Sequence, residues 1–354
     1  MKKITSVFLG AAMILGVFAC KEDQQTPVAE QATGSIKITV GTQLRAEGNL
    51  SGLTNNLIPG EEVVKKLQVW VFNGDIREKY GEAAATTLTL EGITVGSRDV
   101  FVFVNSDLAE NSTKDALKEA QYTYATQDVA GKGLLMTQDG DLFTTVQVEE
   151  GKTAEQAITV KRLVARVDLR QLELNLDPEA KKFFDELADV EVAMYDVPKV
   201  VKMGTGAVGE PGGLLIGKKW SSIANLDTKE EAEGLLQSNV TFEITSDKAP
   251  YFYVNPLMEA GNTPMKLVLR GKPKKGGQAV SAEGLYTDAE GYMYYKVDIK
   301  GKENNNKILR NTVHILSGSI TNMGAPNIDG AKKGSIKVNI QVADWEETNQ
   351  NVTW

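Results

Sequence analysis

Short apolar stretches of period two, punctuated by turn residues, run through the chain and restrict it to a β-rich fold. Leu67 to Phe72 is apolar and rich in strand formers, and Asn73-Gly74-Asp75 after it is a hairpin signal. Val100 to Val104 is continuously apolar, as in a strand covered on both faces. Val146 to Val148, Ala157 to Val160, and Leu163, Ala165, Val167 and Leu169 alternate. Further strands are predicted over 190–195, 240–244, 251–254, 265–269, 292–299 and 314–320. Many short strands with turns between them point to β-sandwiches.

Helices are few. Ser112 to Asp115 opens one predicted to reach about Tyr122. Asp177-Pro178 supplies a capping side chain and a proline at the first helical position, predicting a helix to about Ala188. Thr228 to Glu231 has capping-box spacing. With 354 residues, the chain is long enough for about two domains at ~150 residues each. A boundary near Lys161-Arg162 gives two sandwiches in tandem, 46–160 and 161–334.

The start of the chain reads as an export signal over 1–19. Lys2 and Lys3 precede an apolar stretch from Val7 to Ala19. Val17-Phe18-Ala19-Cys20 looks like a lipobox, in which Cys20, the only cysteine, carries acyl chains after cleavage. Lys21-Glu22-Asp23 resembles the signal that sends Bacteroidota lipoproteins to the cell surface. The polar stretch from Gln24 to Thr33 reads as a tether within a propeptide of residues 20–45.

No catalytic motif emerges, so the sequence predicts a protein that is not an enzyme and needs no cofactor. His314, the lone histidine, lies in an alternating run and reads as a core or sheet-face residue. Without a second histidine a zinc or copper site is not expected. Gly204-Thr-Gly206-Ala-Val-Gly209 fits G-x-G-x-x-G formally, but Glu210-Pro211-Gly212-Gly213 cannot continue a helix, so it reads as a loop. Gly271 to Gly277 is basic and reads as a solvated hairpin loop. A formal net charge of −8 argues against nucleic acid as a partner.

One phrase occurs twice. Gly34-Ser-Ile-Lys-Ile-Thr-Val40 lies near the start and Gly334-Ser-Ile-Lys-Val-Asn-Ile340 near the end. Ile36, Ile38 and Val40 would share one strand face; so would Ile336, Val338, Ile340 and Val342. Between the first phrase and the rest stands a polar stretch containing Arg45. An arginine-specific protease cutting between Arg45 and Ala46 would detach lipid anchor and first strand together, and leave a groove for the matching strand of another copy. The plainer reading has each strand close its own domain.

The chain resembles the FimA-type major fimbrillins of the Bacteroidota type V pilus. The resemblance runs in order through the lipoprotein start, Arg45-Ala46-x-Gly48, Leu67–Gly74, Gly133–Thr137, Val160–Arg166, Asn306–Asn311, Val342-Ala-Asp-Trp345 and Gln350–Trp354. It implies two tandem transthyretin-like β-sandwich domains and a C-terminal donor strand over 335–354, including Trp345 and Trp354. It further implies a palmitoylated precursor at the outer membrane and processing by a gingipain-type protease. The mature product would be a homopolymeric stalk with tip and anchor partners, serving adhesion, biofilm formation and virulence. An anchor or accessory fimbrial subunit, or a surface glycan-binding lipoprotein, are the alternatives.

Overall fold

The computed structural model describes residues 31–42, 58, 60–124, 133–202, 213–220, 229–242, 244, 249–258, 263–331 and 335–344. The fold is mainly β: among these residues it has 21 strands and two helices of six residues each.

Eight of the nine described strands between residues 33 and 162 form one sheet; the ninth, Gln121–Thr123, pairs with Val200–Lys202. The path of the sheet runs Ile76–Ala83, Leu67–Asn73, Gly96–Val104, Met136–Gln138, Thr153–Arg162, Thr33–Thr42, Thr87–Thr94, with Thr144–Val148 pairing onto Gly96–Val104. The sheet curls until its ends meet, and a Cβ on Gly81 would strike the Leu90 side chain. Alternation then decides which side chain faces which layer. Val69, Val71, Val100 and Val102 point into the curled core with Ile36, Ile38 and Val40. Trp70, Phe72, Phe101 and Phe103 point outward and are covered by Leu117 of helix Lys114–Glu119 and by Leu135 and Leu163. Val100 to Val104 is therefore buried on both faces, as its composition predicts. The Asn73–Ile76 turn also forms as expected, with Gly74 at φ +60°.

Sheet membership changes between Arg162 and Ala165. Ala165–Leu174 belongs to a four-stranded sheet ordered Tyr251–Val254, Ala165–Leu174, Thr312–Ile320, Ile336–Asp344. A seven-stranded sheet built on Glu186–Pro198 and Lys266–Lys275 faces it. Val167, Leu169, Val192, Met194, Leu267 and Leu316 fill the space between the two sheets. The other face of the four-stranded sheet turns toward the curled sheet, and Val313 and Ile315 join that core.

A buried ionic cluster ties the parts together. Glu61 accepts from the Arg166 guanidinium (2.5 Å) and the Tyr253 hydroxyl (2.9 Å), while Arg166 also donates to Asp168 (2.8 Å). Arg162 Nε donates to the Glu61 carbonyl (3.0 Å), and its backbone N–H donates to Asn311 Oδ1 (3.2 Å). The two carboxylates hold the Arg166 pKa above its ordinary value although burial opposes them. Two blocks that carry the fimbrillin resemblance, 160–166 and 306–311, thus supply Arg162, Arg166 and Asn311 of this joint.

Several local expectations are corrected. The first helix is capped by Thr113, whose Oγ1 accepts from Ala116 N (3.1 Å), and stops at Glu119 because Gln121–Thr123 pairs with Val200–Lys202. The second spans only Pro178–Phe183: Phe184 turns into the core and Glu186 begins a strand. Glu230–Glu231 is a short strand against Leu214–Ile216, not a helix. The described residues of 240–244 form no ladder strand, although Val240, Phe242 and Ile244 still pack on the core. The basic stretch 271–277 is largely strand, with the turn confined to Gly276-Gly277. Its Lys272, Lys274 and Lys275 lie against Asp189, Glu186 and Asp185 (3.2–3.3 Å). Apart from 240–244, long-range pairing overrides a local preference in these segments.

Candidate functional site: the two repeated strands

The first phrase forms strand Thr33–Thr42, an interior strand of the curled sheet. On one side it pairs parallel with Thr153–Arg162, Lys37 opposite Glu155 and Val40 opposite Ile158. On the other it pairs antiparallel with Thr87–Thr94, Ile36 opposite Leu90 and Ile38 opposite Leu88. Ile36 and Ile38 are 0% exposed and Val40 4%.

Each residue of the repeated tetrad has a reason to be there. A Cβ on Gly34 would fall onto the Glu149 carbonyl oxygen, so only glycine fits. Ser35 N–H donates to the Lys152 carbonyl (2.9 Å). Ile36 fills the core. Lys37 reaches Glu155 (2.9 Å) on the outer face, a pairing worth about 0–1 kcal/mol at such exposure. Burial of Ile36, Ile38 and Val40 contributes about 5–9 kcal/mol as an upper figure, at 1.5–3 kcal/mol each.

The second phrase lies in strand Ile336–Asp344, at the edge of the four-stranded sheet. Its one ladder is antiparallel with Thr312–Ile320, Ile320 opposite Ile336 and Leu316 opposite Ile340. The alternation holds: Ile336, Val338, Ile340 and Val342 face inward, while Lys337 and Asn339 are exposed. Packing is looser than in the first strand. Ile336 is buried, whereas Val338, Ile340 and Val342 are half-buried and border an open hollow of about 380 Å³ against Lys300, Gly301, Lys302 and Asn304.

His314 belongs to the neighbouring strand opposite Val342 and is buried, as its apolar setting predicts. Its imidazole lies between Thr312 Oγ1 (3.1 Å) and the Lys300 carbonyl (3.0 Å). Burial pushes its pKa down to about 4. Cys20, Arg45, Ala46, Trp345, Trp354 and the glycine-rich stretch 204–209 lie outside the described residues. Sequence reasoning missed Glu61, whose burial shows only once the distant Arg166 and Tyr253 are brought to it.

The fold, a curled sheet joined by a buried ionic cluster to a two-sheet sandwich, is mainly β. The fimbrilin of Porphyromonas gingivalis W83 shares this fold at TM-score 0.71, with 19% identity over 91% of this chain and 100% of that one. Proteins assigned to cell adhesion from Parabacteroides distasonis (13% identity, 89% and 99% covered, TM-score 0.64) and Bacteroides eggerthii (14%, 89% and 96%, 0.61) share it too. No curated protein matches the chain. Residues 32–165 match the model of the major fimbrial subunit protein (FimA) family. That match begins at the first strand and ends inside the ionic cluster. The resemblance to FimA-type major fimbrillins thus stands on this family match and on a fold shared over nine-tenths of the chain.

Proposed function

We propose that the protein is a structural stalk subunit of a surface fimbria, assembled by donor-strand exchange. The precursor is exported, acylated at Cys20 and held at the outer membrane. An arginine-specific protease cuts between Arg45 and Ala46. The segment lost takes Ile36, Ile38 and Val40 with it, and residues 335–354 of a second copy enter the vacated slot. The mature chain then carries a formal charge of −10 and lies in an extracellular filament with tip and anchor subunits.

The observation that carries this reading is the contrast between the two strands. An interior strand with two ladders and a fully buried face belongs to the segment upstream of Arg45. A strand with the same opening residues sits half-packed at a sheet edge. Ile336, Val338 and Ile340 contain the same two isoleucines and one valine as Ile36, Ile38 and Val40, so the replacement keeps the core volume. Moving from edge to slot completes the burial of two half-buried side chains and adds a second ladder. A contact between unlike surfaces that does not close on itself generates a filament.

Arg45→Ala tests the reading. The expected product is an acylated, unpolymerised precursor, and the surface form of the parent chain should begin at Ala46. Filaments of normal length from the variant would overturn it.

A further inference from the structure

Chain direction fixes which parts of two subunits can meet. Strand Thr153–Arg162 runs toward the joint, and Thr33–Thr42 runs parallel to it. The first strand therefore enters the curled sheet at the end far from the joint. There Ser35 N–H donates to the Lys152 carbonyl (2.9 Å) and Val95 N–H to the Ala32 carbonyl (3.1 Å). The hairpin turn at Gly74 lies at the same end, next to the ladder residue Glu78, which accepts from Thr94 N–H (2.5 Å). The C-terminal strand is rooted at the opposite end of the molecule. Strand Thr312–Ile320 runs parallel to Ala165–Leu174, away from the joint, and Ile336 lies opposite Ile320. Ser335 accepts from Thr321 N–H (3.0 Å), whose own carbonyl accepts from Asp177 N–H (2.8 Å) at the start of helix Pro178–Phe183.

Among the described residues six large apolar side chains are exposed, and four of them stand at these two ends. Ile76 (75%) and Val95 (43%) are at the end where the first strand enters. Phe183 (42%) and Leu285 (64%) are at the end where the C-terminal strand is rooted, and the Tyr286 ring lies 5.6 Å from that of Phe183. The other two, Tyr251 (36%) and Leu309 (37%), are the least exposed of the six. Apolar surface gathered at both ends marks them as contact surfaces.

We infer that the two ends dock on each other between successive subunits, Ile76 and Val95 of the accepting copy against Phe183, Leu285 and Tyr286 of the donating copy. The inference deepens the donor-strand reading and rests on it. With Ser335 in the place of Ser35 in a neighbour's slot, the donating domain cannot be distant. Ala331 is buried in that domain, and the four residues from it to Ser335 span at most about 14 Å. The tether thus holds one end against the other. So few side chains make too small a contact to join separate subunits. A short tether raises their effective concentration to about the millimolar range, where the contact forms. The inserted strand then links the subunits, and the end contact fixes the angle between them, where a strand alone would leave a hinge.

The test is photo-cross-linking in filaments of the processed chain carrying a benzophenone amino acid in place of Ile76, with the cross-linked peptides identified by mass spectrometry. The same filaments carry Glu155→Cys and Lys337→Cys, which come together when the C-terminal strand fills the slot, as Lys37 lies opposite Glu155. The expected result is a disulfide between 155 and 337, and a cross-link from position 76 to residues 178–186 or 281–287 of the next copy. In separate filaments, Ile76→Asp and Leu285→Asp should each speed fragmentation about tenfold, equivalent to about 1.4 kcal/mol. Both positions are exposed in the subunit, so the melts of the uncleaved variants should match that of the parent. Filaments that form the disulfide but give no cross-link from 76 to those segments overturn the end contact and leave the donor-strand reading standing. Aspartate variants as long-lived as the parent also overturn it, because ends that merely lie near each other carry no load. A cross-link from 76 without the disulfide upholds the end contact and overturns the donor-strand reading; absence of both overturns both.

Discussion

Val338→Asp separates the slot from the edge. In the subunit's own sheet Val338 is half-buried beside an open hollow, so a carboxylate there keeps much of its water. The expected cost to the precursor is about 1 kcal/mol, a fraction of the 1.5–3 kcal/mol for full burial of valine. In the slot the corresponding residue, Ile38, is 0% exposed. An aspartate placed there loses that burial and also strands an unpaired charge, for a total of about 4–8 kcal/mol. At 1.4 kcal/mol per tenfold, insertion weakens by about a thousandfold or more. Lys337→Asp, on the outer face opposite the half-exposed Glu155, should cost less than about 1 kcal/mol. Electron microscopy of cleaved variants shows assembly, and thermal melts of their precursors show stability. Disulfide trapping then reads the register: with Glu155→Cys in one subunit, Lys337→Cys in the next should cross-link, as Lys37 lies opposite Glu155 in the parallel ladder. Equal assembly from the two aspartate variants would refute the shared slot. So would a precursor melt lowered by Val338→Asp as severely as assembly is impaired.

Two further outcomes follow from the packing. Arg166→Met leaves Glu61 and Asp168 buried without their cation and should destabilise the chain by about 3–5 kcal/mol in denaturant titration; a loss under 1 kcal/mol would show that the cluster is relaxed by water. His314 titrates near 4 when folded and about 6.5 when unfolded, so the unfolded chain binds the extra proton between those values. Its contribution is fully present above about pH 6.5 and is lost as pH falls toward 4, by up to about 3 kcal/mol. His314→Gln should remove that part of the pH dependence of the melting temperature, and an unchanged slope would assign it to other groups.

The alternating pattern of the two GSIK strands determined their inward and outward faces, because period two follows from the strand backbone alone. Composition likewise determined that Val100 to Val104 is covered on both sides, and the hairpin at Gly74 followed from local turn chemistry. Local signals misjudged the segments whose state depends on a distant partner: the second helix yields to a strand that pairs with Lys266–Lys275, and the basic stretch 271–277 straightens against an acidic neighbour. The same limit applies to the candidate site. Sequence marked both strands as equivalent, yet one is an interior strand with two ladders and the other an edge strand with one. Nor does any local feature of Glu61 predict its burial; Arg166 and Tyr253 lie 105 and 192 residues away. Pattern along the chain decides which way a side chain points, whereas the number of neighbours a strand has, and the charge that a buried carboxylate meets, are decided by segments that only folding brings together.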